Sequence, residues 1–200
     1  MAGTVGPGDA GPVEAEDDRE AVQGSVVDDL VPRPRQERRV QGDDGPVMIR
    51  YPRGDARQVG ELEVGEGLLA RRMRAAADPR SAVCVLAIGK MVGPADKAAE
   101  ALRAGGHDVS LWDVRSCVPL DPTMIADAAT HRAVVTIEDG IRDGGIGMTI
   151  ADQVHAIDAS VPVEVLGIPT RFIPQGKPEH ILAQFGLDAD GIAATVRDLA

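Results

Sequence analysis

The chain is short of aromatic side chains, of thiols and of positive charge. Its 200 residues include one Trp, one Tyr and two Phe, so bases or sugars would find almost nothing to stack on, and the core must be built from Val, Leu, Ile and Ala. Two cysteines, Cys84 and Cys117, make neither a disulfide framework nor a four-thiolate metal centre. His107, His131, His155 and His180 are scattered without an HxxxH-type ligand spacing, and no metal site is expected from them. Lys and Arg total 21 against 32 Asp and Glu, a formal charge of −11. That sign argues against a nucleic-acid or anionic-membrane partner, because both require clustered positive charge. The longest apolar run, Ala82 to Ile88, is seven residues, far short of the ~20 that a membrane helix needs. The first twenty residues are acidic and hold no apolar signal core. The expectation is a soluble, cytoplasmic protein.

What is present divides sharply near residue 42. Residues 1–42 hold one Leu (Leu30), no Ile, no aromatic residue and ten Gly plus Pro. Such a segment cannot bury enough apolar area to offset ~1–2 kcal/mol per residue of backbone ordering, so a disordered or unrelated tail is expected there. The basic run Arg33–Arg39 is broken by Pro34 and Glu37 inside an acidic segment and reads as solvated chain. From Asp43 the pattern becomes globular. Val47–Tyr51 reads as a short strand stopped by Pro52 and Gly54, and residues 55–65 read as a linker. Residues 66–200 form the main domain.

Within that domain apolar runs alternate with helical periodicities. Glu66–Arg72 is a weak strand candidate. Ala82–Ile88 (AVCVLAI) has the continuous apolar character of a strand covered on both faces. Gly93-Pro94 opens a helix whose stripe is Ala95, Ala98, Ala99 and Leu102, and Gly105-Gly106 end it. Val109–Val114 is the next strand. Asp121 caps a helix that begins at Pro122 and turns Met124, Ile125 and Ala128 inward. Ala133–Glu138 is a strand, Ile150, Ala151, Val154 and Ile157 mark a helix, and Val163–Leu166 is a further strand. Pro178–Phe185 and Asp188–Leu199 close the chain as helices. Repeated strand–helix units imply an α/β fold of three layers: a mainly parallel sheet with right-handed crossovers and helices on both faces.

Such sheets bind ligands at the carboxyl ends of their strands, so the glycine-rich loops there are the first candidates. Gly89–Pro94 matches neither GxxxxGK[ST] nor GxGxxG and reads as a turn feeding a helix. The loop Glu138–Gly147 could offer backbone N–H groups to an anion, although Glu138, Asp139 and Asp143 oppose one. Close helix packing and turn geometry account for its glycines without a ligand. Glu138 and Asp139, adjacent on a strand, point to opposite faces and cannot converge on one substrate atom. A loop hydrogen-bonding role suits them better. Cys84, inside an apolar strand, reads as a small buried hydrophobe. Cys117 has no basic neighbour beyond Arg115 to activate it. No Ser stands in a GxSxG context, so a hydrolase elbow is absent. In Arg50-Tyr51-Pro52-Arg53-Gly54 a short strand delivers two guanidinium groups to a rigid turn. This is either a surface turn or a phosphate or carboxylate contact.

Five segments carry a resemblance: DDGPVMIRYPRGDA at 43–56, VPLD at 118–121, VVTIEDG with GGIG at 134–147, GIPTRFIPQG at 167–176 and FGLDADGIAATVRDL at 185–199. Together they resemble the C-terminal part of the 1-deoxy-D-xylulose-5-phosphate synthase family, thiamine-diphosphate enzymes of the transketolase superfamily. VPLD and VVTIED are shared across that superfamily, including the β-subunits of 2-oxoacid dehydrogenases; RYPRG, RFIPQG and GLDADGI in this order look specific to the synthases. Thr170, where the family usually has Asp, and Ser116-Cys117-Val118, where it has an aromatic-Val-Lys stretch, depart from the pattern and touch fine packing. The resemblance implies a transketolase C-terminal-like domain at 66–200, preceded at 43–65 by a remnant of the pyrimidine-binding domain and a linker.

The family's GDG…N motif for Mg²⁺ and diphosphate, and the Glu that activates the aminopyrimidine, have no counterpart here. The resemblance therefore implies no catalytic, cofactor-binding or metal-binding residue in this chain, and no thiamine diphosphate or Mg²⁺ bound by the chain alone. It implies one substrate contact, Arg53, matching the family's arginine for the phosphate of glyceraldehyde 3-phosphate. The implied partners are a subunit carrying the missing domains or a second copy in a homodimer. The family reaction joins pyruvate, with decarboxylation, to glyceraldehyde 3-phosphate, feeding isoprenoid and thiamine synthesis. A truncated or split synthase, inactive alone, is the first functional expectation. A non-catalytic partner subunit or the product of a broken gene is the second, and a 2-oxoacid dehydrogenase β-subunit fragment, disfavoured by RFIPQG and GLDADGI, is the third.

Overall fold

A strand that is apolar at every position is stable only if both of its faces are covered. Ala82–Ile88 meets that condition: β2 (Val83–Ala87) is buried at all five residues and lies at the centre of a five-stranded sheet ordered β1-β3-β2-β4-β5. The structure, a computed structural model, describes residues 67–200. The expected tail at 1–42, strand at Val47–Tyr51, linker at 55–65 and the candidate contact Arg53 lie outside the described residues. The other strands are β1 (Arg71–Arg74), β3 (Val109–Asp113), β4 (Ala133–Ile141) and β5 (Val163–Ile168). β2 pairs in parallel with β3, Val85 opposite Leu111, and with β4, Val85 opposite Val135. β5 extends the parallel set on β4. β1 alone is antiparallel, against β3.

The period of two along each strand separates two apolar layers. Val83, Val85, Ala87, Leu111, Val135 and Ile137 face α1 (Val92–Ala104) and α5 (Ala189–Leu199). Their partners are Ala95, Ala98, Ala99 and Leu102 on α1, and Ile192, Ala193 and Val196 on α5. Cys84, Leu86, Trp112 and Val134 face α2 (Pro122–Ala128) and α3 (Ile146–Ile157). α4 (Pro178–Gln184) has no buried residue, and its Leu182 reaches only the margin of the first layer. The result is the three-layer α/β domain that the alternation implies. Among the described residues no helix is long and apolar enough to cross a membrane.

Several details differ from the sequence reading. α1 begins at Val92, after a 3₁₀ turn at Gly89–Met91, which places Pro94 in the first turn rather than at its first position. Proline is tolerated there because its missing N–H would have had no intrahelical acceptor. Ile157, expected on the inner face of α3, is exposed at the helix end. β1 starts at Arg71 rather than Glu66, because its sequence RRMR has no apolar alternation and its position is set by polar contacts. Arg74 donates from Nε and Nη2 to Asp96 at 2.8 and 2.7 Å. Arg72 lies 5.1 Å from the Trp112 ring centre and 3.3 Å from Asp127 Oδ1. Arg103 Nη2 donates to the Ala75 carbonyl at 2.6 Å.

These two kinds of contact differ in magnitude. Leu111→Ala, in a fully buried position, is expected to cost about 2–5 kcal/mol of unfolding free energy. Arg72→Ala, at a half-exposed ion pair, is expected to cost about 1 kcal/mol or less. Urea titration of both variants checks the ordering.

Candidate functional site

From β2 the chain moves to β3 on one side of the sheet and then crosses to β4 on the other. In a parallel sheet this reversal leaves a crevice between the carboxyl ends of β2 and β4, the usual ligand position of such folds. Here charged side chains of the chain itself pair with one another. Lys90, in the turn after β2, pairs through Nζ with Asp139 Oδ2 at 2.9 Å. Glu138, buried near the end of β4, turns its carboxylate the other way, and Oε1 accepts the N–H of Gly147 in the first turn of α3 at 3.0 Å. A carboxylate at a helix N-terminus satisfies an otherwise unpaired donor and complements the positive end of the helix dipole.

The glycines of this loop serve that approach. A Cβ on Gly147 would stand 2.5 Å from Thr136 Oγ1 and 2.7 Å from Val165 Cγ1, and one on Gly145 would collide with Glu138 Oε1. Gly144 supplies a left-handed turn at φ +80°. Close packing and turn geometry thus explain the glycine-rich segment, and Glu138 and Asp139 diverge instead of converging on a common point.

The two thiols are poor nucleophiles. Cys84 is fully buried in β2, and its thiol is held well above the ordinary range by burial and then by the Asp127 carboxylate. Cys117, half-buried in the loop after β3, is raised by burial and by the negative charge of Glu138. Neither sits in the electropositive setting that activates a thiol.

One cluster escaped the sequence reading. Cys84, Asp127 and His131 bring a thiol, a carboxylate and an imidazole within 4.8 Å of one another. Only the i, i+4 spacing of Asp127 and His131 hints at it, since Cys84 comes from another strand. His131 Nδ1–H donates to the Asp127 carbonyl at 2.8 Å. Its Nε2 accepts from Ser110 Oγ at 2.8 Å, a tautomer fixed by the carbonyl, which can only accept. Ser110 Oγ accepts the Ala76 N–H at 2.9 Å, and Trp112 Nε1–H donates to Asp127 Oδ2 at 2.8 Å. Both ring nitrogens are engaged, so His131, Ser110, Asp127 and Trp112 form a hydrogen-bond network joining β3 to α2, with Arg72 of β1 at its edge.

The described residues do not fit Mg²⁺ and a diphosphate. A hard cation calls for several oxygen ligands, whereas this cluster offers a thiol and an imidazole, and Glu138 and Asp139 at the carboxyl end of β4 are already engaged by Gly147 and Lys90. Cavities open at the amino end of the sheet, beside Arg103 and His107 and beside Arg80 and Arg132. Arg53 lies outside the described residues.

Fold and edge together define a class: a three-layer α/β domain with a mainly parallel sheet whose switch point carries an ion pair and a helix cap. Residues 75–192 match the family described as "Transketolase, C-terminal domain", and the chain belongs to that family. Among curated proteins it is 35% identical over 162 residues to a 1-deoxy-D-xylulose-5-phosphate synthase of Magnetococcus marinus, covering 77% of this chain and 25% of that protein. The synthase of Salmonella paratyphi A is 39% identical over 160 residues, covering 77% and 24%; that of Corynebacterium glutamicum is 32% identical over 158 residues, covering 77% and 25%. The chain thus spans about a quarter of the length of these relatives. A solved structure titled "Split gene transketolase, inactive beta4 tetramer" superposes with a TM-score of 0.62 at 25% identity, covering 72% of this chain and 46% of that one.

The Glu138–Cys117 proximity has a measurable consequence. The alkylation rate of Cys117 should inflect at a pH above that of an unperturbed thiol, and Glu138→Gln should move the inflection down. The amide keeps an oxygen for the Gly147 N–H while removing the charge. A pH series with iodoacetamide and peptide mapping of both proteins checks it.

Proposed function

We propose that the chain supplies the C-terminal domain of a 1-deoxy-D-xylulose-5-phosphate synthase and works with a polypeptide that carries the cofactor-binding domains. The reaction would be the family's decarboxylative joining of pyruvate to glyceraldehyde 3-phosphate, with thiamine diphosphate and Mg²⁺ held by the partner. The observation that carries this reading is the 32–39% identity to synthases over 77% of this chain, set against a quarter of their length. The split-gene title of the structural neighbour supports assembly from separate polypeptides or copies. A cytoplasmic location suits two free cysteines.

A non-catalytic role, with the domain serving only as a partner subunit, is the second reading. It draws on the switch point, where, among the described residues, Lys90 pairs with Asp139 and Glu138 with the Gly147 N–H. Reconstitution separates the two. Added to the cofactor-binding portion of a synthase such as that of Corynebacterium glutamicum, the chain should restore product formation under the first reading and leave the mixture inactive under the second.

Two outcomes are expected if the enzymatic reading holds. Calorimetry of the chain alone should show no micromolar affinity for thiamine diphosphate with Mg²⁺, and such an affinity would contradict the assignment of the cofactor to a partner. In the reconstituted enzyme Arg53 would hold the acceptor phosphate through its planar two-donor fork. Charge-assisted hydrogen bonds of this kind contribute roughly 1.5–3 kcal/mol, so Arg53→Ala should raise KM for glyceraldehyde 3-phosphate by at least about tenfold. Dependence on pyruvate, which has no phosphate, should change much less, and equal losses for both substrates would make Arg53 structural.

A further inference from the structure

We propose that Cys84, Asp127 and His131 form a binding site for a divalent cation of borderline softness, Zn²⁺, between β2, β3 and the end of α2. They bring a thiol sulfur, a carboxylate oxygen and an imidazole nitrogen within 4.8 Å of one another. Ligand atoms around a tetrahedral Zn²⁺ stand roughly 3.5 Å apart, given bonds of about 2.0–2.3 Å. Side-chain adjustments on the order of 1 Å therefore close the set. The donors also select the ion. Thiolate and imidazole suit Zn²⁺, whereas Mg²⁺ would need oxygens in their place.

Each side chain is already oriented as a ligand has to be. His131 gives its Nδ1–H to the Asp127 carbonyl at 2.8 Å, so the free lone pair is on Nε2. A backbone carbonyl on the far nitrogen is a common way to fix the tautomer and direction of a ligating imidazole. The Nε2 lone pair accepts the Ser110 hydroxyl at 2.8 Å. When the ion binds, Ser110 turns its hydrogen away, and its Oγ or a water takes the fourth position. Asp127 is held by Trp112 Nε1–H at 2.8 Å on Oδ2 and by Arg72 Nη1 at 3.3 Å on Oδ1. Carboxylate oxygens accept more than one partner, so these donors steer the carboxylate without using it up. Cys84 stands beside Ser110 in the paired strands. Binding breaks its S–H bond and forms the S–Zn bond, and the proton leaves to solvent; a coordinated thiol is deprotonated outright. One thiolate and one carboxylate balance the two charges of the ion, and the neutral centre needs no further buried counter-charge. A cavity of about 440 Å³ lined by Thr130, His131 and Arg132 brings solvent to the imidazole side. The site ties α2 to the centre of the sheet, and this role stands whether or not the enzymatic reading does.

The test uses the full chain carrying Cys117→Ser, in which Cys84 is the one remaining thiol. Added Co²⁺ should give the thiolate-to-metal absorption band of a tetrahedral site, and Zn²⁺ should displace it. Free Zn²⁺ at a hundred times its Kd should raise Tm by about 5–10 °C, and Mg²⁺ should leave Tm where it is. His131→Asn in the same background should weaken Co²⁺ binding by at least about tenfold. Absence of the thiolate band, a Tm unmoved by Zn²⁺, an equal rise with Mg²⁺, or unchanged Co²⁺ affinity in His131→Asn overturns the proposal. If His131→Asn does not fold, the band and the Tm of the Cys117→Ser protein decide.

Discussion

Covering both faces of β2 is the condition on which the remaining structure depends. Its backbone groups are taken up by β3 and β4, and its side chains alternate between two helix layers. A parallel neighbour can be reached only by crossing over the sheet. The crossovers therefore have to be amphipathic helices, and they have to be shared between the faces. Small residues complete the arrangement: Ala95, Ala98 and Ala99 let α1 lie close over Val83, Val85 and Ala87. Once strands and helices are committed in this way, only the loops at the two ends of the sheet are left for chemistry.

At the carboxyl end that freedom is largely used up by the chain itself. A helix N-terminus beside a strand end is a ready anion site, and Glu138 occupies it from within. Because the carboxylate is buried, the glycines around it are required by contact with Glu138, Thr136 and Val165. Burial raises the Cys117 thiol, and the Glu138 charge adds to that shift.

The fold was legible because its strongest signals are local. AVCVLAI, the Ala95–Leu102 stripe and the Asp121-Pro122 cap each state their structure within a few residues. β1 was misplaced because RRMR carries no periodicity; its partners Asp96, Ser110, Trp112 and Asp127 are remote in sequence. β4 runs on to Ile141, beyond the Glu138 limit read from the sequence, because Ile141 still pairs with Ile168 across a register shift. Close packing at the glycine loop was legible, and the contacts of Gly145 and Gly147 with Glu138, Thr136 and Val165 agree with it. The His131 network and the contacts of the Leu69–Ala70 peptide with Arg115 and Asp121 were not legible, because they join side chains to groups dozens of residues away. The resemblance to the synthases was legible in short motifs, yet it names a role only for Arg53, outside the described residues.

Apolar and polar contacts divide the work of this domain differently. The buried leucines and isoleucines each contribute kcal/mol-scale stability, and they would do so in several similar arrangements of the same side chains. The contacts of β1 are individually worth little at the surface, yet each is directional. Arg74 must meet Asp96, Arg103 must meet the Ala75 carbonyl, and the peptide after Leu69 must meet Arg115 and Asp121 at once. β1 offers the core a single apolar side chain, Met73, too little to favour one register over its neighbour. Its register is therefore set by these polar groups, and their joint effect lies in geometry more than in stability. The difference between about 2–5 kcal/mol for a buried leucine and about 1 kcal/mol or less for a surface ion pair is what allows the core to hold the domain together while a few polar groups set the register of β1.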